Sequence, residues 1–324
     1  MKAAAIGFAG AVLAVALVFP QHGFAAADFP TKPLRFLVAF APGGGADIVT
    51  RAISGKLSEA LGQPVIVDNR AGAGGNIAVG IIAKSEPDGH TLLMANVGAL
   101  TVNPSLYSNL PYDIAGDLAP VTKAADSTNI LCLNAGVAAA NVREVIALAK
   151  NKSLNGGSSG VGTTGHLAIE LFNTMAGTKI VHVPYKGGGP VMLDVIAGNI
   201  QLVFSNPASA MAHIKAGKVK PIAVTTAKRL QAMPELPTVA ESGLPGFEAN
   251  NWIGVVVPAR TPRNRIDRLN KEIGAILDTS ELREFLLRLG FEANPGTPEQ
   301  FGSYIKSETL KWSRVVKMSG AKGE

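Results

Sequence analysis

Cysteine is almost absent from this chain, since Cys132 is the only one in 324 residues. A single cysteine has no partner for an internal disulfide, so the fold cannot depend on disulfide cross-links. Cys132 also lies too far from the N-terminus to be a lipid-anchor cysteine at the end of a leader segment. Because its surroundings, ILCLNA, have the apolar character of a buried strand, we expect a small core residue.

Concentrated charge and aromatic side chains are scarce too. The 30 Lys and Arg against 24 Asp and Glu give a net charge of +6, but the basic residues are dispersed. No basic run is interleaved with any of the 12 Phe, 4 Tyr and 2 Trp. This distribution argues against nucleic-acid binding, whereas a mild positive balance is compatible with a small anionic ligand.

Motifs for metals and phosphate-containing cofactors are missing. The chain has five His and no His, Cys, Asp or Glu cluster with the spacing of metal ligands. Its glycine-rich segments do not match the dinucleotide fingerprint, because Ile48 and Ile77 stand where the third glycine is required. No G-K-[ST] follows a glycine-rich loop either. The sequence therefore predicts neither a metal nor a cofactor.

The longest apolar run lies at the N-terminus. Lys2 precedes an apolar stretch over 3–19, and the small residues Ala25-Ala26-Ala27 follow it. This order is typical of a secretory signal peptide, and the run is shorter than the roughly 20 residues of a membrane-spanning helix. We predict a signal peptide over 1–27, removed after Ala27 with Ala25 and Ala26 as alternative cleavage positions, and a soluble mature protein that is exported.

The rest of the chain is organised around a junction of strand, glycine-rich loop and helix. The apolar stretch 34–41 predicts a buried strand, Gly43-Gly44-Gly45 a loop, and Asp47 the start of a helix. Glycines let backbone N–H groups approach a ligand closely, and a helix N-terminus adds unpaired N–H groups and a positive dipole end. Asp47 is expected to cap the helix or to pair with Arg51. Alone, such a junction could be only a tight turn.

Three further junctions repeat this arrangement, with glycine-rich segments at 69–76, 153–166 and 185–189. The alternation of strands and helices predicts an α/β protein with parallel sheets. Ligands bind such sheets at the carboxyl ends of the strands, where these loops lie. The chain is long enough for two lobes, and if the lobes face each other, the four loops converge on one cleft.

One segment supports a different class of protein. Gly156-Gly157-Ser158-Ser159-Gly160 matches the G-x-S-x-G of a hydrolase nucleophile elbow, and Asp194 and His213 follow in the chain order of a triad. The elbow requires a strand immediately before it, whereas residues 151–155 are polar and not strand-like. An exported serine hydrolase using Ser158 is therefore the less favoured alternative.

Taken together, the segments resemble the periplasmic solute-binding proteins of tripartite tricarboxylate transporters, the Bug or TctC-type receptors. The matching segments are FPTKPLRFLVAFAPGGGAD (29–47), QPVIVDNRAGAGGN (63–76), PDGHTLL (87–93), SSGVGTTGHLAIELF (158–172), HVPYKGGGP (182–190) and LPTVAESGLPGFEANNWIGVVVPARTP (236–262). They follow one another in order over essentially the whole mature chain, which makes the resemblance specific.

The resemblance implies an α/β, type II periplasmic binding protein fold, with two α/β lobes joined by two crossing strands and a ligand cleft between them. Lobe 1 would comprise 28–124 plus 248–324, and lobe 2 would comprise 125–247. Such receptors are not enzymes and have no catalytic residues. They hold a small carboxylate through backbone amides, small hydroxyls and waters, and deliver it to the membrane permease subunits of a tripartite tricarboxylate transporter. A monomer is expected.

The resemblance also implies which residues contact the ligand. The matching positions are Phe40, Pro42, Gly43, Gly44, Asp47, Gly74, Asn76, Ser159, Gly162, Thr163, His166, Tyr185, Gly187 and, as a weaker candidate, Ser205. Thr163 stands where the family usually has Ser. The sequence does not determine whether the ligand is a tricarboxylate, a dicarboxylate, an acidic amino acid or an aromatic carboxylate. A sensor that presents its ligand to a signalling partner is an alternative to a transport receptor.

Overall fold

A computed structural model describes Met1 and residues 29–40, 42–185, 187–230, 233–320 and 322–323. Apart from Met1, the predicted signal peptide lies outside the described residues, as does Ala41 at the end of the first predicted strand.

The strands and helices alternate along most of the chain. In chain order the strands are β1 (Leu34–Val38), β2 (Val65–Asn69), β3 (Thr91–Asn96), β4 (Leu118–Ser127), β5 (Ile130–Asn134), β6 (Asn155–Ser158), β7 (Val181–Pro184), β8 (Leu202–Ser205), β9 (Val219–Val224), β10 (Asn251–Pro258) and β11 (Phe291–Ala293). The α-helices are α1 (Gly45–Leu61), α2 (Asn76–Ala83), α3 (Asn103–Leu106), α4 (Ile114–Asp117), α5 (Val142–Asn151), α6 (Thr164–Ala176), α7 (Gly188–Ala197), α8 (Pro207–Lys215), α9 (Arg263–Leu277), α10 (Ser280–Arg288) and α11 (Pro298–Ser319). A 3-10 turn (Ala73–Gly75) precedes α2, and a π-helical segment (Gly98–Val102) precedes α3.

The first sheet is built from both ends of the chain. Its strand order is β11-β4-β10-β3-β1-β2. As predicted, β1, β2 and β3 are parallel, whereas β4, β10 and β11 add antiparallel pairs. Helix α1, near the start of the described chain, and the C-terminal helices α9, α10 and α11 pack against this sheet.

The second sheet is built from the middle of the chain, with the strand order β7-β6-β8-β5-β9. β6 runs parallel to β7 and β8, and β5 runs antiparallel to β8 and β9. The chain crosses from the first sheet to the second between β4 and β5, and it returns between β9 and β10. Two α/β lobes with two connecting segments result.

Each sheet is covered by an apolar core. One core packs α1, α9 and α10 on the first sheet, and another packs α7 and α8 on the second. The largest cluster continues from one lobe to the other, and joins Trp252 and Phe301 to Phe172, Phe204 and other buried side chains. Cys132 is fully buried with no disulfide, as predicted, and burial raises the pKa of its thiol to about 12.

The segment 153–166, predicted to be a single glycine-rich loop, contains the strand β6 instead. Its sequence, NGGS, has low strand propensity, but packing demands glycine there. A Cβ on Gly157 would lie 2.4 Å from Val191 Cγ2 and 2.5 Å from Ile200 Cδ1. The close approach of α7 thus explains a strand that intrinsic propensity does not predict.

Helix α1 begins two residues earlier than predicted. Gly44 is its N-cap, with an extended backbone (φ −76°, ψ 164°), so Asp47 is the third helical residue rather than the cap. The predicted pairing of Asp47 with Arg51 is present, with Nε 2.9 Å from Oδ1. A capping box formed by Thr297 and Gln300 begins α11. Among the described residues, we find no helix with the length and apolar character needed to cross a membrane.

Candidate functional site

A cleft of about 730 Å³ lies between the two lobes. Both lobes and the segments that connect them contribute to its walls. The lining residues are Phe40, Pro42, Gly43, Gly44, Gly45, Ala46, Ile48, Asn96, Ser127, Asn129, Ser159, Thr163, Thr164, Gly165, Gly187, Gly188, Val191, Phe204, Ser205, Asn206, Ser209, Asn251, Ile253, Leu289 and Phe291. None of these described residues has an ionisable side chain. A charged ligand would therefore meet backbone amides, hydroxyls and carboxamides rather than a salt bridge.

The first-lobe wall is the N-terminus of α1. Gly43, Gly44, Gly45 and Ala46 all line the cleft, so the first turn of a 17-residue helix faces it. The N–H groups of a first helical turn have no partner within the helix, and the dipole is positive at that end. A Cβ on Gly45 would lie 2.4 Å from Phe291 Cζ, so glycine is what allows the aromatic ring to close this side of the cleft.

Asp47 lies behind this wall and is not among the lining residues. Only 3% exposed, it accepts hydrogen bonds from Gly43 N–H (2.9 Å), Arg51 Nε and Asn69 Nδ2 (2.9 Å). Burial favours the neutral acid, but the hydrogen bonds from Arg51, Gly43 and Asn69 outweigh it and hold the pKa of Asp47 below its ordinary value. The carboxylate therefore fixes the shape of the glycine loop.

The second lobe contributes the N-terminus of α6. Thr163 is its N-cap and lines the cleft, but its hydroxyl donates to Gly160 O at 2.7 Å. Gly162 is not among the lining residues, and its N–H donates to His166 Nδ1 at 3.1 Å. His166 is 3% exposed and stacks on His182 with ring centroids 4.0 Å apart. His166 thus supports the loop from beneath.

Helices α7 and α8 bring two more N-termini to the same wall. Gly187 is the N-cap of α7 (φ 116°), and its N–H donates to Ser159 O at 3.2 Å. A Cβ on Gly188 would lie 2.3 Å from Ser209 Oγ, so the first turns of the two helices are in close contact. Asn206 caps α8 through its Oδ1, which accepts from Ser209 N–H at 2.9 Å.

Besides Asp47, Gly162 and His166, three more residues carried over from the family lie outside the cleft lining and form local hydrogen bonds. Tyr185 donates its hydroxyl to Asp194 Oδ2 at 2.5 Å, and burial followed by this hydrogen bond raises the pKa of Tyr185 to about 12. Asn76 Oδ1 accepts from Asn103 Nδ2 and from the Tyr112 hydroxyl (2.7 Å). Gly74 O accepts from the same Asn103 amide at 3.1 Å.

The cleft therefore brings together part of the predicted set. Phe40, Pro42, Gly43, Gly44, Ser159, Thr163, Gly187 and Ser205 line it, whereas Asp47, Gly74, Asn76, Gly162, His166 and Tyr185 are not in its lining. Asp47, Gly162 and His166 still act on the lining loops through the hydrogen bonds given above.

Four asparagines that are not among the predicted site residues also line the cleft: Asn96, Asn129, Asn206 and Asn251. The Oδ1 atoms of Asn96 and Asn206 accept from the backbone N–H groups of Ala99 (3.0 Å) and Ser209. These bonds orient each NH₂ group as a donor available to a ligand. Both residues stand at the carboxyl ends of strands, β3 and β8, and that position is the signal that could have identified them.

Ser158 does not have the surroundings of a nucleophile. A strand, β6, does precede it, contrary to the expectation from residues 151–155, but Ser158 is fully buried and does not line the cleft. Its hydroxyl donates to Gly160 O at 2.9 Å and lies 2.7 Å from His182 Nε2. The donor of this second contact depends on the tautomer of the His182 ring. Within the described residues, neither Asp194 nor His213 is hydrogen-bonded to Ser158. The described part of the chain also has no group of three His, Cys, Asp or Glu that could hold a metal.

Two α/β lobes around a cleft walled by helix N-termini define a solute-binding protein. The sequence profile of the tripartite tricarboxylate transporter family receptor, TctC, matches residues 49–321. Protein BugT of Bordetella pertussis is 34% identical over 297 residues, which cover 91% of this chain and 91% of BugT. The chain belongs to the TctC receptor family, and the resemblance seen in the sequence is confirmed.

Solved structures of similar proteins confirm the predicted type II periplasmic binding protein fold. Rpa4515 of R. palustris, solved with adipate, is 36% identical with a TM-score of 0.81, over 91% of this chain and 99% of that one. MatC (Rpa3494) from Rhodopseudomonas palustris, with bound malate, is 28% identical with a TM-score of 0.76, over 89% of this chain and 100% of that one. The family consists of periplasmic receptors rather than enzymes, which bind small carboxylates and work with tripartite transporters.

Proposed function

We propose that this protein captures a small carboxylate in the cleft between its lobes and delivers it to the permease of a tripartite tricarboxylate transporter. The observation that carries the proposal is the convergence of the α1, α6, α7 and α8 N-termini on a cleft in which none of the described lining residues has an ionisable side chain. Helix N-termini are sites for anionic groups, because unpaired N–H groups and the dipole act together. Three of the four belong to one lobe and the fourth to the other, so a ligand with two carboxylates can bridge the lobes.

The ligand-contacting residues in this proposal begin with those carried over from the family. Phe40, Pro42, Gly43, Gly44, Ser159, Thr163, Gly187 and Ser205 contact the ligand, and Asn96 and Asn206 add NH₂ donors to it. Asp47, Gly162 and His166 position the loops that hold these contacts. Gly74, Asn76 and Tyr185 belong to the proposed site as part of the framework around it. The adipate of Rpa4515 and the malate of MatC support a dicarboxylate as the class of ligand.

The lobes of this proposal are 28–124 plus 248–324 and 125–247. Ligand binding closes one lobe over the other about the two crossing segments, and the closed form docks on the permease. Several charge-assisted hydrogen bonds in a closed cleft give micromolar affinity, about −8 kcal/mol. Residues 1–27 direct export to the periplasm, and the mature protein acts as a monomer. Delivery to a permease is favoured over a sensing role by membership in the transporter family.

A thermal-shift screen of the mature protein tests this proposal. The panel contains di- and tricarboxylates, acidic amino acids, aromatic carboxylates and, as a control, the corresponding neutral amides. A ligand at about a hundred times its Kd adds roughly 2.7 kcal/mol to the folded state, which raises the Tm by several degrees. We expect a rise with one subset of carboxylates and none with the amides. A flat response, repeated after refolding to remove any co-purified ligand, would overturn the proposal.

The same preparation distinguishes a receptor from a hydrolase. Ser158→Ala removes the only hydroxyl that the elbow motif supplies as a nucleophile. We expect the variant to bind its carboxylate with unchanged affinity, and we expect no ester turnover from the wild-type protein. Turnover by the wild type that disappears in the variant would contradict the receptor assignment.

A further inference from the structure

The two segments that join the lobes each place one asparagine in the cleft. Asn129 lies between β4 and β5, and Asn251 is the first residue of β10; both line the cleft. The Asn129 backbone is held on both sides, since its N–H donates to Thr225 Oγ1 at 3.0 Å and its carbonyl accepts from Thr225 N–H at 3.0 Å. Asn251 stands opposite Ser127 in the β4–β10 ladder, two residues before Asn129. The backbones that present the two side chains are therefore fixed at the hinge.

Neither carboxamide has a hydrogen-bond partner among the described residues. Asn129 is 97% buried, since its exposed fraction is 3%, and its Nδ2 is an unpartnered buried donor. Asn251 Oδ1 is an unpartnered buried acceptor. Asn96 and Asn206 differ, because a backbone N–H occupies the oxygen of each. A buried polar group without a partner destabilises the folded protein, so two such groups in a binding cleft indicate contacts that a ligand completes.

The chemistry of the pair selects the group that satisfies it. Each carboxamide has a donor NH₂ and an acceptor oxygen. A carboxylate only accepts and an ammonium only donates, so either leaves part of the pair unpaired. A hydroxyl donates to one carboxamide and accepts from the other. The asparagines lie on the segments that connect the lobes, whereas the helix N-termini lie on the lobes themselves. A ligand that uses both would have the hydroxyl on its carbon chain and the carboxylates at its ends.

We infer that Asn129 and Asn251 are specificity-determining residues, which select carboxylates that carry a hydroxyl on the chain over the same carboxylates without it. This inference depends on the proposed function, because it concerns the same cleft. It adds a second recognition element, on the hinge, to the anion-binding helix N-termini. Since the carboxamides lie on the segments about which the lobes move, the hydroxyl contact forms where both lobes meet.

Isothermal titration calorimetry of the mature protein with matched ligand pairs tests the inference. The pairs are succinate and malate, glutarate and 2-hydroxyglutarate, and adipate and 2-hydroxyadipate, with both enantiomers of each hydroxy acid. In the pair that binds most tightly, we expect one enantiomer of the hydroxy acid to bind roughly tenfold tighter than its parent, which is about 1.4 kcal/mol.

Asn129→Leu and Asn251→Leu preserve side-chain size and remove the polar atoms. Each variant is expected to bind the hydroxy acid more weakly, so that the ratio of the two affinities within a pair comes close to one. The affinity for the parent acid should change less than roughly threefold. The Tm should be unchanged or higher, because each variant removes a buried unpartnered group. Asn199→Leu, at an exposed position after α7, is the control and should keep the wild-type ratio.

The outcomes separate the inference from the proposed function. If the wild type binds a parent acid as tightly as its hydroxy acids, or if both asparagine variants keep the wild-type ratio, the inference is wrong and the receptor assignment stands. An equal loss of affinity for both members of a pair would assign a structural role to the asparagines, which also overturns the inference. If none of these acids binds the wild type, both the proposed function as a dicarboxylate receptor and this inference are wrong.

Discussion

The Gly43 N–H donates a hydrogen bond to Asp47 Oδ2 at 2.9 Å, and this bond closes the glycine loop at the start of α1. Asp47 is also held by Arg51 and Asn69, and it is 3% exposed. Asn69 Nδ2 in turn donates to Phe40 O at 3.0 Å, so the residue before the loop is fixed by the same network. The shape of an uncharged ligand wall therefore depends on an ionised carboxylate behind it.

Asp47→Ala should weaken both the fold and the ligand site. The variant leaves buried donors without an acceptor, and we expect a loss of about 1–3 kcal/mol in the free energy of unfolding. Ligand affinity should fall by roughly tenfold or more, because the loop loses its fixed shape. Urea unfolding and calorimetric titration measure the two effects.

Asp267→Ala is the matched control for this prediction. Asp267 accepts from Arg263, four residues before it on α9, and both side chains are more than half exposed. Exposed pairs of this kind contribute 1 kcal/mol at most, so stability and affinity should stay near the wild-type values. Wild-type affinity in Asp47→Ala would show that the network does not shape the site.

The half-buried His182 should make the protein less stable in mild acid. Burial, and next the neighbouring His166, lower the pKa of His182 from 6.5 to about 3. Between these values the unfolded chain binds a proton that the folded protein does not, so stability is complete above pH 6.5 and falls as the pH decreases towards 3. We expect the Tm to decrease from pH 7 to pH 4.5, and to decrease less steeply in His182→Gln. An unchanged slope in the variant would assign the acid sensitivity to other groups.

Glu308 should matter for stability but not for binding. It is 5% exposed, and its Oε2 accepts from Trp312 Nε1 at 2.9 Å and from Trp252 Nε1 at 3.3 Å. Successive side chains of the strand β10 point to opposite faces of the sheet. Because Asn251 and Ile253 line the cleft, Trp252 between them points away from it. Glu308→Ala should cost about 2–5 kcal/mol in unfolding free energy. Ligand affinity should change less than roughly twofold, since the cleft wall is intact.

The matched control for Glu308→Ala is Glu299→Ala on the same helix. Glu299 is 59% exposed in its ion pair with Arg263, so its removal should have little effect on unfolding. Equal losses of stability in the two variants would contradict the role given to the Trp252–Glu308–Trp312 contact, and a loss of ligand affinity in Glu308→Ala would contradict its separation from the cleft.

The sequence predicts the parts of this protein that have a local signal. Runs of apolar residues identify β1, β3 and β10, and the Thr297–Gln300 pattern identifies the start of α11. The junctions at α1, α6 and α7 were also predicted, since a glycine-rich stretch between a strand and a helix is a local pattern. Gly43 and Gly44 lie at the first of these junctions, whereas Thr163 and Gly187 are carried over from the family resemblance. All four line the cleft.

Residues whose position depends on tertiary packing were beyond the sequence. Asn129 and Asn251 are 122 residues apart in the sequence (251 − 129), and both line the cleft only because the chain crosses twice between the lobes. The strand β6 contains glycine at position 157 because Val191 and Ile200 leave no room there for a side chain. Tyr185 has the position of a ligand contact in the sequence, but its hydroxyl is used by Asp194. No local pattern distinguishes these cases.

The most direct test of the central claim is a calorimetric titration of Gly44→Val with the best carboxylate from the screen. Gly44 lines the cleft with an extended backbone that valine can adopt, so the fold should survive while the side chain blocks approach to the α1 N–H groups. Gly55→Val, at an exposed position on the same helix with nothing within 4 Å of its Cβ, is the control. We predict roughly a hundredfold loss of affinity, about 2.7 kcal/mol, in Gly44→Val and wild-type binding in Gly55→Val. Wild-type affinity in a folded Gly44→Val would contradict the claim that the carboxylate binds at the α1 N-terminus.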